Sequence, residues 1–460
     1  MTTESPPRKR KDPGAPVSPP PLKKAVKSTT TKSAVASFFT PTSQKPKDRT
    51  TWSERGPTDD VPATLLVGRY QPEDKDEVSR LKRRKIAAFD LDSTLITTSS
   101  GKKHASNAAD WKWWDSKVPG RLRELYENEG YHVVILSNQA GLTLRFDASY
   151  KGPKASALKR VAEFKQKCNA VLTSLNLPTA VYAATARDMY RKPRIGMWKE
   201  VCDDLEILED EVDLKGSFFV GDAGGRTALL GKGESGAAAA AAKDFSCSDR
   251  NFAHNIGIDY LSPEEFFLGE KPRDFIREFD LVHYASQGEN GSLDSAEDPY
   301  EKKNHKDVVL FCGPPGAGKS TFYSKVLRPL GYERVNQDTL KSRDKCIQAA
   351  RDLLKAGKSV AVDPDTRALW VEVARTAGVP IRCLWFSTPV VVCEHNDAVR
   401  ANNATLNPEA REGLPKQAFT GFASRFKEPK EKEGFEDVTE VKFKFRGTKE
   451  EYALWGRYWI

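Results

Sequence analysis

The run Val308-Val-Leu-Phe311, followed through Cys312 by Gly313-Pro-Pro-Gly316-Ala-Gly318-Lys319-Ser320-Thr321, constrains this chain more than any other feature. An apolar strand leads into Gly-x-x-x-x-Gly-Lys-Ser, which opens a helix. In that setting glycines let backbone N–H groups close around phosphate oxygens. Lys319 is expected to reach the β- and γ-phosphates of a nucleotide, and Ser320 to set its hydroxyl on Mg²⁺. Gly313, Gly316, Gly318 and Thr321 complete the cradle. Downstream, Tyr332-Glu-Arg-Val-Asn336-Gln337-Asp338-Thr339-Leu340 places a carboxylate after a short strand. Asp338 either accepts the proton of a hydroxyl that attacks the γ-phosphate or caps the next helix.

A second constellation lies earlier. Ile86-Ala-Ala-Phe-Asp90-Leu-Asp92-Ser-Thr94 is an apolar strand ending in two aspartates one residue apart. At the mouth of an α/β sheet such a pair can divide phosphoryl transfer, one carboxylate attacking phosphorus and the other handling protons. Three further pieces fit. His132-Val-Val-Ile-Leu136-Ser137-Asn138-Gln139 ends a strand in a hydroxyl and two amides suited to phosphate oxygens. Tyr190-Arg191-Lys192-Pro193 supplies an ammonium, and Ser217-Phe-Phe-Val-Gly221-Asp222 ends a third strand in a carboxylate. A Mg²⁺ would take oxygens from Asp90, Asp222 and the carbonyl of Asp92. Asp244 or Asp249 either adds an outer carboxylate or serves as a surface or capping residue.

Composition sets the frame around these sites. The 460 residues suggest two or three domains. No run of about 18 apolar residues is present, so no membrane span is expected. Seven scattered cysteines contain no Cys-x-x-Cys pair and read as reduced thiols of the cytosol or nucleus. Residues 1–55 hold twelve Lys or Arg against four acids, so most of the net charge of +9 belongs to the N-terminal segment. Residues 1–60, rich in Pro, Ser, Thr and Lys, are expected to be disordered. Within them Arg8-Lys9-Arg10-Lys11 and Lys23-Lys24 have the spacing of a bipartite nuclear signal read by an import receptor, with a solvated basic tail as the alternative. Val35-Ala-Ser-Phe38-Phe39 resembles a sliding-clamp-binding peptide, though Lys32 stands where that peptide has glutamine; a chance apolar patch is the other reading. The run 231–242, rich in Gly and Ala, reads as a surface insertion. The polar stretch 286–306 reads as a linker.

The four early pieces resemble the haloacid dehalogenase phosphatase superfamily. That resemblance implies Asp90 as nucleophile, Asp92 as acid then base, Thr94 as support, Ser137 and Lys192 as phosphate ligands, and Asp90 with Asp222 on Mg²⁺. Fused to the downstream cradle, the whole from about residue 60 to 460 resembles the eukaryotic polynucleotide kinase 3′-phosphatase family. Lys192-Pro-x-x-Gly196-Met-Trp198, Gly221-Asp-Ala-x-Gly-Arg226, Asp244-Phe-Ser-Cys-x-Asp249-Arg250 and Pro263-Glu-Glu-Phe-Phe267 support it.

The family resemblance implies removal of 3′-phosphate from DNA ends and phosphorylation of 5′-hydroxyls with ATP. It also implies a Rossmann-like phosphatase over 61–285 and a P-loop kinase over 307–460, and the basic clusters of the tail point to a nuclear place of work. Arg400, after His395 and Asn396, resembles a lid arginine over the phosphates, or else faces solvent. The sequence departs from the family in three places. The basic tail stands where vertebrate members have a forkhead-associated domain, Gln337 stands where arginine is frequent, and Asp363-Pro-Asp365-Thr-Arg367 replaces Asp-Asn-Thr-Asn. A phosphatase with a weakened kinase, and an RNA-end healing enzyme, are the rival readings. The mixture of aromatics and bases from Phe443 to Trp459 is either core or a stacking surface.

Overall fold

The computed structural model describes residues 49–58, 61–73, 83–146, 150–229, 242–285, 300–363, 366–407 and 411–460. The import-signal and clamp-peptide candidates, the run 231–241 and residues 364–365 lie outside them. In chain order the strands of the first half are β1 (Thr50–Arg55), β2 (Leu65–Tyr70), β3 (Lys85–Phe89), β4 (Ile96–Thr97), β5 (Lys112–Trp113), β6 (Tyr131–Asn138), β7 (Thr179–Ala184), β8 (Phe218–Val220) and β9 (Asp259–Leu261). The second half contributes β10 (Val308–Cys312), β11 (Tyr332–Asn336), β12 (Ser359–Asp363), β13 (Ile381–Phe386) and β14 (Val438–Val441).

Alternation along β3 explains the first sheet. Ile86 and Ala88 pack on one face with Val134, Leu136, Trp198 and Phe252, while Ala87 and Phe89 pack on the other with Val133, Ile135, Leu122 and Phe164. A strand buried on both faces must be apolar at consecutive positions, and that selects a parallel sheet covered by helices on both sides. The order is β1-β2-β7-β6-β3-β8-β9, parallel from β7 to β9 and antiparallel at the β1-β2-β7 edge. The second sheet, β11-β12-β10-β13-β14, is parallel throughout and has the cradle strand at its centre. Its two faces divide in the same way, Val308 and Leu310 against Val360 and Trp370, Val309 and Phe311 against Leu384 and Phe386.

Three expected boundaries move. The tail predicted to be disordered to residue 60 already forms β1 at Thr50, which pairs along its length with β2. The cause lies in side chains the polar composition masked. The Trp52 indole N–H donates to Asn169 (3.0 Å), and Arg55 bonds Asp204 (2.8 Å) and Glu200. The predicted linker 286–306 is already packed at Tyr300, which is buried under the Arg382 guanidinium (4.6 Å to the ring centroid). Phe279, Leu281 and Tyr284, expected in the first domain, pack instead on Phe443, Phe445, Trp455 and Tyr458. The C-terminal aromatics are therefore core: Trp455 and Tyr458 are each 3% exposed. The basic run before β3 is likewise drawn into the fold, since Arg83 donates to the carbonyls of Tyr126 and Tyr131 (both 2.7 Å).

Candidate active sites

The first site sits at the C-terminal mouth of β3, β6 and β8. Asp90 follows β3 directly, and its backbone N–H donates to the Val220 carbonyl (2.9 Å), which fixes it beside Asp222 at the end of β8. The chain then turns at Ser93, whose φ of 63° lies in the left-handed region, so that Leu91 enters the core while Asp92 faces outward. Lys192 lies between Asp90 (2.7 Å) and Asp249 (2.9 Å) with its side chain 1% exposed. Its backbone is clamped by Asn138, which accepts from the Lys192 N–H (2.9 Å) and donates to the Lys192 carbonyl (3.1 Å).

One oxygen each of Asp90, Asp222 and Asp249 lies within 4.8 Å of the others. Burial first, then the neighbouring Asp90 and Asp249 charges, pushes the Asp222 carboxyl up to about 8. Burial also raises Asp90, to about 7, against the opposing pull of Lys192. Burial disfavours the Lys192 ammonium, but Asp249 and Asp90 outweigh it and hold its pKa above lysine's ordinary value. Three carboxylates facing one ammonium form a pocket short of positive charge, and all-oxygen donors suit a hard divalent cation. Gly221 is required here, because a Cβ at that position would run into the Asp249 carboxylate.

Asp244 and Asp249 are held by different partners. Asp244 accepts from the N–H groups of Gly224 and Arg226 (3.0 Å each) and pairs with the Arg226 guanidinium (2.8 Å), whereas Asp249 joins the cluster. The carboxylate of Asp92 stands apart from the three. Its oxygens take Gln139 Nε2 (2.6 Å) and Lys167 Nζ (3.0 Å). Of the two amides expected to hold phosphate, Asn138 thus orders the Lys192 loop and Gln139 bridges Asp92 to Ser137 Oγ (3.0 Å). Thr94 is fully buried and its hydroxyl has no hydrogen-bond partner among the described residues. Lys167 carried no signal in the sequence, since it comes from the helix Lys154–Leu175, far along the chain from Asp92.

The second site lies at the end of β10. Gly316 and Gly318 adopt φ of 77° and 90°, which only glycine takes without strain. A Cβ on Gly316 would also strike the Cys393 carbonyl. Lys319 folds over the loop and donates to the carbonyls of Gly313 (2.8 Å) and Pro314 (3.0 Å). Ser320 Oγ accepts from Arg334 (2.8 Å), and Thr321 is exposed in the first turn. Asn396 Nδ2 donates to the Gly316 carbonyl (2.8 Å) and braces the loop from the helix Val390–Ala401.

Asp338 is not the helix cap. Asn336 does that work by accepting from the Thr339 N–H (2.9 Å), leaving Asp338 70% exposed and paired with Arg411 (2.9 Å). Arg400 is drawn to Asp397 on its own helix. His395 is buried and donates Nε2–H to the Trp455 carbonyl (3.0 Å). Beside Cys312 and Gly313 opens a cavity of about 490 Å³, bordered by Arg367, Phe422, Arg425 and Lys427. Arg367 itself is tied to Glu433 (2.8 Å) and the Lys427 carbonyl (2.8 Å).

Comparison with known proteins adds a separate line of evidence. Residues 85–267 match the family described as polynucleotide kinase 3 phosphatase, and residues 308–360 and 344–429 match one described as an AAA domain. The chain is 36% identical over 372 residues to the bifunctional polynucleotide phosphatase/kinase of Schizosaccharomyces pombe, covering 79% of this chain and 81% of that protein. It is 28% identical over 187 residues to the polynucleotide 3′-phosphatase ZDP of Arabidopsis thaliana, covering 40% of this chain and 24% of that one. It is 25% identical over 228 residues to the polynucleotide 3′-phosphatase of Saccharomyces mikatae, covering 40% and 85%.

Proposed function

The chain belongs to the bifunctional polynucleotide phosphatase/kinase family, and on that premise we propose how its two sites restore broken DNA ends. The observation that carries the reading is the buried Asp90–Lys192–Asp249 group with Asp92 one residue outside it. Asp90 attacks the phosphorus of a 3′-phosphate and the bond to the 3′-oxygen breaks, leaving an aspartyl phosphate. Asp92 gives its proton to the departing 3′-oxygen, then removes one from the water that hydrolyses the acyl phosphate. Gln139 and Lys167 hold Asp92 toward the entrance, where a leaving group must sit. Ser137 and Lys192 meet the phosphate oxygens, and the fully buried Thr94 supports the turn that carries Asp92. Asp90, Asp222 and Asp249 are the residues that would hold Mg²⁺, which when bound offsets negative charge on the carboxylates and phosphate.

At the second site, the glycine loop, Lys319, Ser320 and Thr321 bind ATP and its Mg²⁺. Asp338, once released from Arg411, takes the proton of a 5′-hydroxyl as that oxygen attacks the γ-phosphorus and ADP departs. Arg400 closes over the phosphates after leaving Asp397. The basic and aromatic cavity beside Gly313 suits the strand that presents the hydroxyl, since cations meet its phosphates and rings stack on its bases. The tail adds recruitment: residues 8–11 with Lys23 and Lys24 for nuclear import, and Val35, Phe38 and Phe39 for a sliding clamp. The support for this is their spacing in the sequence.

A gapped duplex carrying 3′-phosphate and 5′-hydroxyl, with Mg²⁺ and γ-labelled ATP, tests the assignment. Asp90→Asn is expected to abolish dephosphorylation alone, and Asp338→Asn labelling alone. Phosphate release without any labelling by the unaltered protein would make the altered segment 363–367 the site of a lost kinase activity. Removal of residues 1–48 is expected to leave both reactions on naked DNA intact while abolishing nuclear accumulation and clamp binding.

A further inference from the structure

One helix holds both sides of the catalytic lysine. Ser248–Ile256 presents Asp249 to the Lys192 ammonium (2.9 Å) and, at its other end, Asn255 to the carbonyl of Pro193 (2.8 Å). Asn255 also reaches the other half of the molecule. Its Nδ2 donates to the Tyr458 carbonyl (2.7 Å), and its Oδ1 accepts from the Tyr458 N–H (2.8 Å). Both amide hydrogens and the carbonyl of this side chain are thus committed. Tyr458 is buried, with its ring against His254 and Phe279.

Three residues back, Trp455 makes the equivalent connection to the nucleotide loop. Its indole N–H donates to Asn396 Oδ1 (2.7 Å), and Asn396 Nδ2 donates to the Gly316 carbonyl (2.8 Å). His395 secures the Trp455 carbonyl from the same helix (3.0 Å). Hydrogen bonds therefore run from Gly316 through Asn396 to Trp455, and from Tyr458 through Asn255 to Pro193, the residue beside Lys192, while the backbone from Trp455 to Tyr458 joins the two series. We propose that Trp455–Tyr458 is a strap shared by both centres, with Asn255 and Asn396 as positioning residues, so that disturbing either end is felt at the site of the other.

The proposal rests on the assignment of the two sites above. Its test uses the full chain with separate steady-state assays of 3′-dephosphorylation and 5′-phosphorylation. Asn255→Ala removes the clamp at the phosphatase end, and it is expected to lower phosphatase kcat about tenfold and to raise the KM for ATP about threefold. Trp455→Phe keeps an aromatic ring, smaller than the indole, and deletes the donor, and it is expected to raise the KM for ATP about fivefold and to lower phosphatase kcat about twofold. The double variant is expected to lose less than the product of the two, because both changes release one element. Asn396→Ala serves as a second variant should the tryptophan change unfold the C-terminus, with melting temperature as the check on folding. Effects confined to each residue's own side, in folded variants, would overturn the strap and leave the site assignments standing. Absence of both activities from the unaltered protein would overturn the assignments themselves.

Discussion

The two centres sit at equivalent places, the C-terminal edges of two parallel sheets, yet they are built in opposite ways. At the first, Lys192, Asp90 and Asp249 are buried and each needs the others. At the second, Asp338 is 70% exposed and Lys319 turns back on carbonyls of its own loop. Charges removed from water must be matched when the chain folds, so the first centre is set by the fold. Backbone N–H groups and exposed side chains carry no such demand, so burial of charge does not fix the second centre in the same way.

The same substitution at the two lysines tests this contrast most severely. Lys192→Ala leaves buried carboxylates without their counterion and is expected to abolish dephosphorylation and to destabilise the protein by about 3–5 kcal/mol. Lys319→Ala is expected to cut phosphorylation by about 10³-fold or more while changing stability by less than about 1 kcal/mol. Chemical denaturation with both activity assays reads the difference, and equal destabilisation by the two changes would break the comparison. Next in size is Asp249→Asn, expected to lower phosphatase activity about 100-fold and to raise the Mg²⁺ concentration for half-maximal rate about tenfold, with the kinase untouched. Lys167→Ala, which removes a partner of the exposed Asp92, is expected to cost the phosphatase about five- to tenfold and to change the melting temperature little.

A separate effect concerns pH and the second half. Burial pushes His395 down to about 4, against its ordinary 6.5, so the folded protein keeps this ring neutral while an unfolded chain protonates it. Its contribution to stability is complete above pH 6.5 and is lost as pH falls from 6.5 toward 4, by on the order of 3 kcal/mol across that window. His395→Gln can still donate to the Trp455 carbonyl and is expected to flatten the slope. Melting curves between pH 7.5 and 4.5 measure it.

Much of both sites was legible because each piece is local. Asp90, Asp92, Ser137, Lys192 and Asp222 occupy strand ends or the loops beside them, and a strand's apolar run followed by a polar turn is visible in a few residues. The glycine cradle is legible for the same reason, since positive φ and close backbone approach demand glycine within one short turn. Lys167 lay beyond such reading, because its position on a long helix shows only in the packing of that helix over β2. The choice between Asp244 and Asp249 was open for a related reason. Both follow one insertion, and only the helix Ser248–Ile256 aims the second at Lys192. Strand β1 was hidden by a polar surrounding sequence, its place decided by partners at Asn169, Glu200 and Asp204.

The sequence by itself determined the two sheets, the two chemistries and their order along the chain, because continuous apolar strand runs and loop geometry are short-range properties. Tertiary structure alone decided which carboxylate faces the lysine, where the basic tail yields to β1, and that the C-terminal aromatics join the halves rather than meet nucleic acid. Those outcomes depend on contacts between residues far apart in the chain. A buried charge or a committed amide finds its partner only once the intervening elements have packed.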